Sequence, residues 1–426
     1  MTSRERVLAT LAHQEPDRVP VDLGGSAVTG MHVSVVYGLR QALGLDAPGT
    51  PVKVVEPYQM LGEIAPDLME ALGIDVVGLG SPRTMFGFEN TGWKPWTTFD
   101  GTPVLVPEGF NTQVEPNGDL YLYPEGDTSG SPAGHMPAGG WYFDSTRRQH
   151  PIDDGNLNVA DNLEEFSLVS DADLAYYARE SARLYNETDK AILANFGGTA
   201  FGDIALVPAP WLKDPKGIRD VEEWYISTVA RKDYVRAIFE AQCEIGIENL
   251  ARIHDVVGDR VAAIMVTGTD FGTQRGPFIS PRAYRDLYMP FHTRVNEWIH
   301  THTSWKTFIH SCGSVVQLIP SFVEAGFDIL NPVQCSAADM DPTMLKERFG
   351  DELVFWGGGV DTQQTVPFGT PDQVRAEVAE RVRTFAPGGG FVFNTIHNVQ
   401  PLSPVANVLA MYETVREVGR YPVSTT

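Results

Sequence analysis

Short apolar runs alternate with amphipathic stretches along most of the chain. Thr2 and Glu5 have the spacing of a capping box, and Val7, Leu8 and Leu11 then supply an apolar face, so a helix opens the chain. Eight apolar runs read as strands, at 19–22, 74–79, 191–195, 262–267, 306–310, 328–331, 353–356 and 391–394. Helical periodicity fills most of the intervals, at 233–257, 281–302, 314–325, 371–385 and 403–418. Alternation of strand and helix without a series of hairpins predicts a parallel sheet, and eight such units predict a closed (β/α)8 TIM barrel, an α/β fold spanning 1–426 as one domain.

One region breaks this rhythm. From 88 to 151 the chain is rich in Gly, Pro, Asp and aromatic residues and loses its helical period. Runs at 112–115 and 120–123 flank Pro116-Asn117-Gly118-Asp119, which predicts a hairpin, with Asn-Gly suited to a type I′ turn. Runs at 102–106 and 141–143 read as further short strands. A β-rich insertion after the second barrel strand lies over the C-terminal face, where barrel active sites are built. Trp93, Trp96, Trp141 and Tyr142 either line a flat apolar ligand there or form the insertion's own small core.

Composition narrows the partners. With 55 acidic and 32 basic side chains the formal charge is -23, which disfavours nucleic acid and anionic membranes, because both need clustered Lys and Arg. Hydrophobic residues at 42% and charged residues at 20% fit a chain with a large core. Three cysteines give no disulfide framework, the mixed-charge start is unlike a secretory signal, and no run approaches a membrane span. The expectation is a cytoplasmic protein, with a homo-oligomer left open.

The main chemical signal is Phe308-Ile309-His310-Ser311-Cys312-Gly313. His-x-Cys at a strand end puts an imidazole and a thiol on one rim, and both are good zinc ligands. Cys335 follows the next strand and His397 the last, so the barrel brings a three-ligand site with an open position within reach. Cys243 sits in a helical pattern between Phe239 and Ile247 and reads as core; His292, His300 and His302 read as solvated or capping. Asp270 after the fourth strand is a candidate acid, or a group orienting a ligand histidine. Asn195, Asp361 and Trp141 are candidate substrate contacts, the first two with loop or helix caps as the competing reading. The glycine runs 357–359 and 388–390 match no nucleotide-binding loop.

Several motifs together resemble the uroporphyrinogen decarboxylase superfamily. They are Pro16-Asp17-Arg18-Val19-Pro20, Phe271-Gly272-Thr273-Gln274 with Ile279-Ser280-Pro281, and His310-Ser311-Cys312-Gly313. To these add Ile329-Leu330-Asn331-Pro332-Val333-Gln334, Gly357-Gly358-Gly359-Val360-Asp361-Thr362-Gln363, and His397-Asn398-Val399-Gln400 with Asn407. His-x-Cys resembles the cobalamin-dependent methyltransferase branch. The decarboxylase branch carries Arg-Gln-Ala-Gly-Arg for substrate carboxylates, whereas Val21-Asp22-Leu23-Gly24-Gly25-Ser26 has no arginine. In the methyltransferase branch zinc is held by His-x-Cys and a later cysteine; here His397 stands at that place, with Cys335 as the rival third ligand. One thiolate and two neutral imidazoles leave bound zinc at about +1, a stronger Lewis acid than a two-thiolate site.

The resemblance implies a zinc-dependent methyltransferase that moves methyl from a small donor, such as a methoxylated aromatic, to cob(I)alamin, with Asp270 assisting protonation. The Asp-x-His-x-x-Gly signature of corrinoid modules is absent from the sequence, so the cobalamin is expected on a partner corrinoid protein. The alternatives are corrinoid-to-thiol methyl transfer, uroporphyrinogen decarboxylation, and a non-catalytic zinc- or ligand-binding barrel.

Overall fold

The computed structural model describes residues 1–424. Seven parallel strands lie side by side in chain order: Val76–Leu79, Ala191–Ala194, Ala263–Thr267, Lys306–His310, Ile329–Asn331, Val354–Trp356 and Phe391–Val392. The eighth expected strand, 19–22, is a single bridge, Val21 to Phe393, because Pro20 has no N–H to extend a ladder. That bridge nevertheless joins both edges of the curled sheet. Asp22 N–H donates to the Phe393 carbonyl (2.9 Å), Phe393 N–H to Pro20 (2.8 Å), and Asp75 N–H to Val21 (2.8 Å). The result is a TIM-barrel-like α/β fold.

Side chains alternate between two separate cores, as the two-residue period of a strand requires. Leu193, Met265, Phe308, Ile329, Val354, Trp356 and Val392 gather in one buried cluster together with Val7 and Leu11 of the opening helix. Their sequence neighbours Ile192, Ile264, Val266, Ile309, Leu330, Phe355 and Phe391 belong to the other, outside the sheet. The first set fills the interior of the curled sheet, and the helix Ser3–Leu11, started by the expected Thr2–Glu5 capping box, closes its lower end. There Asp75, wholly buried, is held by Arg6 (2.7 Å) and Arg18 (2.7 Å) and accepts from Val21 N–H (2.9 Å). Arg18 of the Pro-Asp-Arg-Val-Pro motif is therefore part of the scaffold, at the end away from the strand C-termini.

Helices follow the periodic segments with two changes. The span expected over 281–302 divides into Pro281–Leu287 and Met289–His302, because Pro290 in the first turn of the second helix cannot continue the first. The span over 314–325 contracts to Ile319–Glu324, again with a proline in its first turn. Cys243 is buried as expected. His292 is neither solvated nor a cap: it is fully buried, with Nδ1 2.9 Å from the Tyr284 hydroxyl. Among the described residues no helix is long and apolar enough to cross a membrane.

Between the strands Val76–Leu79 and Ala191–Ala194 the chain forms two small sheets. In one, Lys94–Thr97 and Pro103–Val106 join Val52–Glu56 and Leu61–Gly62, a pair of strands that the apolar pattern did not predict. The other is an antiparallel meander of Thr112–Val114, Leu120–Leu122, Gly134–Met136 and Asp144–Ser145; the segment 141–143 is irregular rather than a strand. The expected hairpin pairs Thr112 with Leu122, but not through a type I′ turn. Gly118 N–H bonds back to the Glu115 carbonyl (2.8 Å), so Pro116 and Asn117 are the central residues. Proline fixes a negative φ there, and only Gly118 is left-handed (φ +92°), a type I turn with a glycine bulge. Met31 bridges to Val399 and His32 to Leu61, which seats this region beside the loop after the last barrel strand.

Candidate metal and substrate site

The interior of the sheet turns polar at the C-terminal ends of the strands. His310 ends Lys306–His310 and Asn331 ends Ile329–Asn331, paired residue to residue across the ladder. The imidazole Nδ1 of His310 lies 2.6 Å from Asn331 Oδ1, and its Nε2 lies 3.4 Å from Cys312 Sγ. The His397 ring stands at 68° to the His310 ring with centroids 5.4 Å apart. One potential ligand atom each from His310, Cys312 and His397 fall within 4.8 Å of one another. Cys335, the rival third ligand, is not part of that group; its thiol lies toward Gly358, on the loop after Val354–Trp356.

Backbone contacts fix Cys312. Its N–H donates to Asp270 Oδ1 (2.7 Å), Gly313 N–H donates to Gln334 Oε1 (2.7 Å), and Ser311 Oγ accepts from Phe271 N–H (2.9 Å). Gly313 has φ +88°, and a Cβ on Gly272 would sit 2.5 Å from the Cys312 carbonyl oxygen. Two of the recurrent motifs, Phe-Gly-Thr-Gln and His-Ser-Cys-Gly, thus lie backbone against backbone, which only glycines allow.

The electrostatics suit a cation. Burial pushes both His310 and His397 down to about 4, so near neutrality each imidazole keeps a lone pair. Burial, reinforced by Asp270 and then Asp203, raises the Cys312 thiol well above its usual range. A bound cation reverses that penalty by taking the thiolate and releasing a proton. Burial also raises the Asp270 carboxyl, whose Oδ1 is 3.9 Å from His310 Nε2. One thiol and two neutral imidazoles, convergent and buried (His310) or half-buried (Cys312, His397), are a donor set that fits zinc.

Sequence reasoning missed Asp203, Asn331, Gln334 and His32. Asp203 lies in the long loop after Ala191–Ala194, almost buried, and burial followed by the proximity of Asp270 pushes it up to about 7. Its only sequence signal was an acidic residue beyond a strand end. Of the expected substrate contacts, Asn195 is exposed on the rim, where its Oδ1 accepts from Gly197 N–H (3.2 Å). Asp361 is nearly buried and its Oδ1 accepts from Gln363 N–H (2.7 Å), the loop-cap arrangement. Trp141 lies edge-on to Phe99 (4.4 Å, 67°) and to His32 (5.4 Å, 85°).

Two cavities flank the Trp141–Phe143 segment. One of about 250 Å³ is lined by Trp96, Phe99, Leu120, Met136 and Trp141. The other, about 260 Å³, is lined by Tyr58, Gln59, Tyr142, Phe143, His397 and Gln400, and so reaches one candidate ligand, His397. His32 lines both. Its Nδ1 accepts from Ser34 N–H (3.2 Å), so its Nε2 carries the hydrogen and donates to the Trp141 carbonyl (3.0 Å), a clip that holds this segment in place.

Residues 216–418 match the family model described as Uroporphyrinogen decarboxylase (URO-D). Uroporphyrinogen decarboxylase of Psychromonas ingrahamii is 25% identical over 178 residues, 40% of this chain and 48% of that protein. The enzyme of the same name from Hydrogenovibrio crunogenus is 24% identical over 180 residues, 40% of this chain and 49% of that protein. The chain spans about half the length of the curated relatives it matches. A solved structure described as a methyltransferase from Methanosarcina mazei shares the fold, with a TM-score of 0.54 at 16% identity over 98% of this chain and 99% of that one.

Proposed function

We propose that this chain, whose residues 216–418 match the uroporphyrinogen decarboxylase family model, is a zinc-dependent methyltransferase of that superfamily. It takes methyl from a small ether donor, in the class of methoxylated aromatics, and its acceptor is cob(I)alamin on a separate corrinoid protein. The observation that carries the reading is the convergence of His310, Cys312 and His397 at the C-terminal ends of the strands. The lack of arginine in 21–26 speaks against a polycarboxylate substrate. The methyltransferase fold relative supports the reading as an architecture compatible with it.

His310 and His397 would hold zinc through their lone pairs and Cys312 through its thiolate, and the metal would supply Lewis-acid polarisation of the donor's ether oxygen. The chain's own residues account for the rest. Asp270 holds the Cys312 loop through Oδ1, and its raised carboxyl offers a proton for the departing oxygen. The cavity beside His397 takes the donor's ring against Tyr58, Tyr142 and Phe143. The 88–151 segment acts as a cap within a single domain over 1–426, with Trp141 in its apolar wall and Asn195 as a rim amide.

The test is an anaerobic one. Zinc-loaded protein is mixed with cob(I)alamin and a panel of methoxylated aromatics, and loss of the cob(I)alamin absorbance is followed alongside Cys312→Ala. The expected result is donor-dependent loss with a matching demethylated product, abolished in the variant. No reaction with any ether, together with turnover of methylcobalamin and a thiol, overturns the direction of transfer; no reaction in either format overturns the methyltransferase reading.

A further inference from the structure

We infer that Asn331 is a positioning residue that holds His310 as its Nδ1–H tautomer, presenting the Nε2 lone pair toward Cys312 and His397. The inference deepens the zinc reading proposed above and rests on it for its purpose. The tautomer itself follows from hydrogen-bond bookkeeping that needs no metal.

The chain of constraint starts at a backbone carbonyl. Asn331 Nδ2 lies 2.6 Å from the Trp356 carbonyl oxygen, and a carbonyl only accepts, so the amide nitrogen of Asn331 must face it. The amide oxygen then faces the other way, to His310 Nδ1 at 2.6 Å. An amide oxygen only accepts as well, so Nδ1 must carry the hydrogen. Neutral imidazole has one N–H, and Nε2 is left with its lone pair, 3.4 Å from Cys312 Sγ. His310 and Asn331 are both buried, so water does not compete for the Nδ1–Oδ1 hydrogen bond that sets the tautomer.

Gly357 completes the arrangement. It has φ +109°, and a Cβ there would lie 3.2 Å from Asn331 Nδ2 and 3.1 Å from the Thr395 carbonyl oxygen. A side chain at 357 would be strained and would press on the amide that reads the Trp356 carbonyl. The first glycine of Gly357-Gly358-Gly359 thus serves the histidine two strands away, and Asn331-Pro332-Val333-Gln334 supports both halves of His-x-Cys. Asn331 orients His310, while Gln334 accepts from Gly313 N–H beside Cys312.

The experiment uses metal-free full-length protein labelled with ¹⁵N-histidine, with His310 signals assigned from His310→Gln. The expected spectrum has a pyrrole-type Nδ1 and a pyridine-type Nε2 at His310. The same samples are titrated with zinc against a chromogenic chelator, and with Co(II), whose thiolate charge-transfer band reports the Cys312 ligand. Asn331→Leu removes the acceptor and is expected to lose the Nδ1–H signature and weaken zinc binding roughly 10–100-fold. Asn331→Asp keeps an acceptor at Oδ1 but can donate to the Trp356 carbonyl only as the neutral acid, so it is expected to retain the tautomer and recover only part of the affinity. A pyridine-type Nδ1 in the wild-type protein overturns the inference even if Asn331→Leu fails to fold, and so does unchanged zinc affinity in a folded Asn331→Leu. A wild-type protein with the expected tautomer but no zinc binding overturns the metal reading instead.

Discussion

His310 and Cys312 are two residues apart but are held by different parts of the chain. The imidazole is fixed from the neighbouring strand by Asn331, whereas the thiol's backbone hangs on Asp270 and Gln334 from two other loops. Asp270→Ala should therefore weaken zinc binding by loosening Cys312, roughly 10–100-fold, while Asp270→Asn, which keeps an oxygen acceptor, should weaken it less. Chelator competition on both variants checks this, and equal losses would point to charge rather than to the Cys312 N–H bond. The His-x-Cys pair and His397 were legible in the sequence because each stands at or just after a strand end. Asn331 was visible only as part of a motif, since its role depends on the register that sets it opposite His310. Asp203 was not legible, because it sits in a long loop without periodicity and owes its burial to tertiary packing.

At the scale of elements, the strands buried on both faces read as compact apolar runs, and seven of the eight expected are ladders of the sheet. The eighth closes the ring through one bridge, and its attachment relies on Asp75 as much as on its own backbone. Removing that carboxylate in Asp75→Ala leaves Arg6, itself nearly buried, without its buried partner. Arg6 keeps its pair with the more exposed Asp17 (2.7 Å), so the loss should fall short of the roughly 3–5 kcal/mol of a fully broken buried pair, and the variant's urea midpoint should still drop below wild type. Because Asp75 lies at the opposite end of the strands from His310, zinc affinity of the folded variant should be unchanged; a parallel loss of both would show that the ends are coupled. Val52–Glu56 escaped the sequence reading for a related reason. One of its sheet partners, Pro103–Val106, is distant in the chain, the other, Leu61–Gly62, is two residues long, and five residues carry little pattern of their own.

Across the whole molecule, buried titratable groups oppose one another. Burial holds His13, His32, His292, His310 and His397 below their ordinary value, while it raises Asp22 to about 6, Glu56 and Asp203 to about 7, and Asp270 above the usual carboxyl range. Near pH 5 the unfolded chain binds extra protons at the histidines and the folded chain binds extra protons at the raised acids, so the two sets pull the pH dependence of stability in opposite directions. His292, pushed down to about 3, contributes stability above pH 6.5 that is lost as pH falls toward 3. His292→Phe should remove that contribution, changing the slope of stability near pH 5 by about 1.4 kcal/mol per pH unit relative to wild type. Urea unfolding of both proteins between pH 4.5 and 6 checks the difference; parallel curves would mean that His292 is not held neutral.

The most direct test of the central claim is zinc bound per chain in His310→Ala, Cys312→Ser, His397→Ala and Cys335→Ser, measured beside wild type after equilibrium dialysis. One zinc is expected in wild type and in Cys335→Ser, with binding lost in the other three. Binding that survives His397→Ala but fails in Cys335→Ser would contradict the site described here, and so would a wild-type chain that binds no zinc.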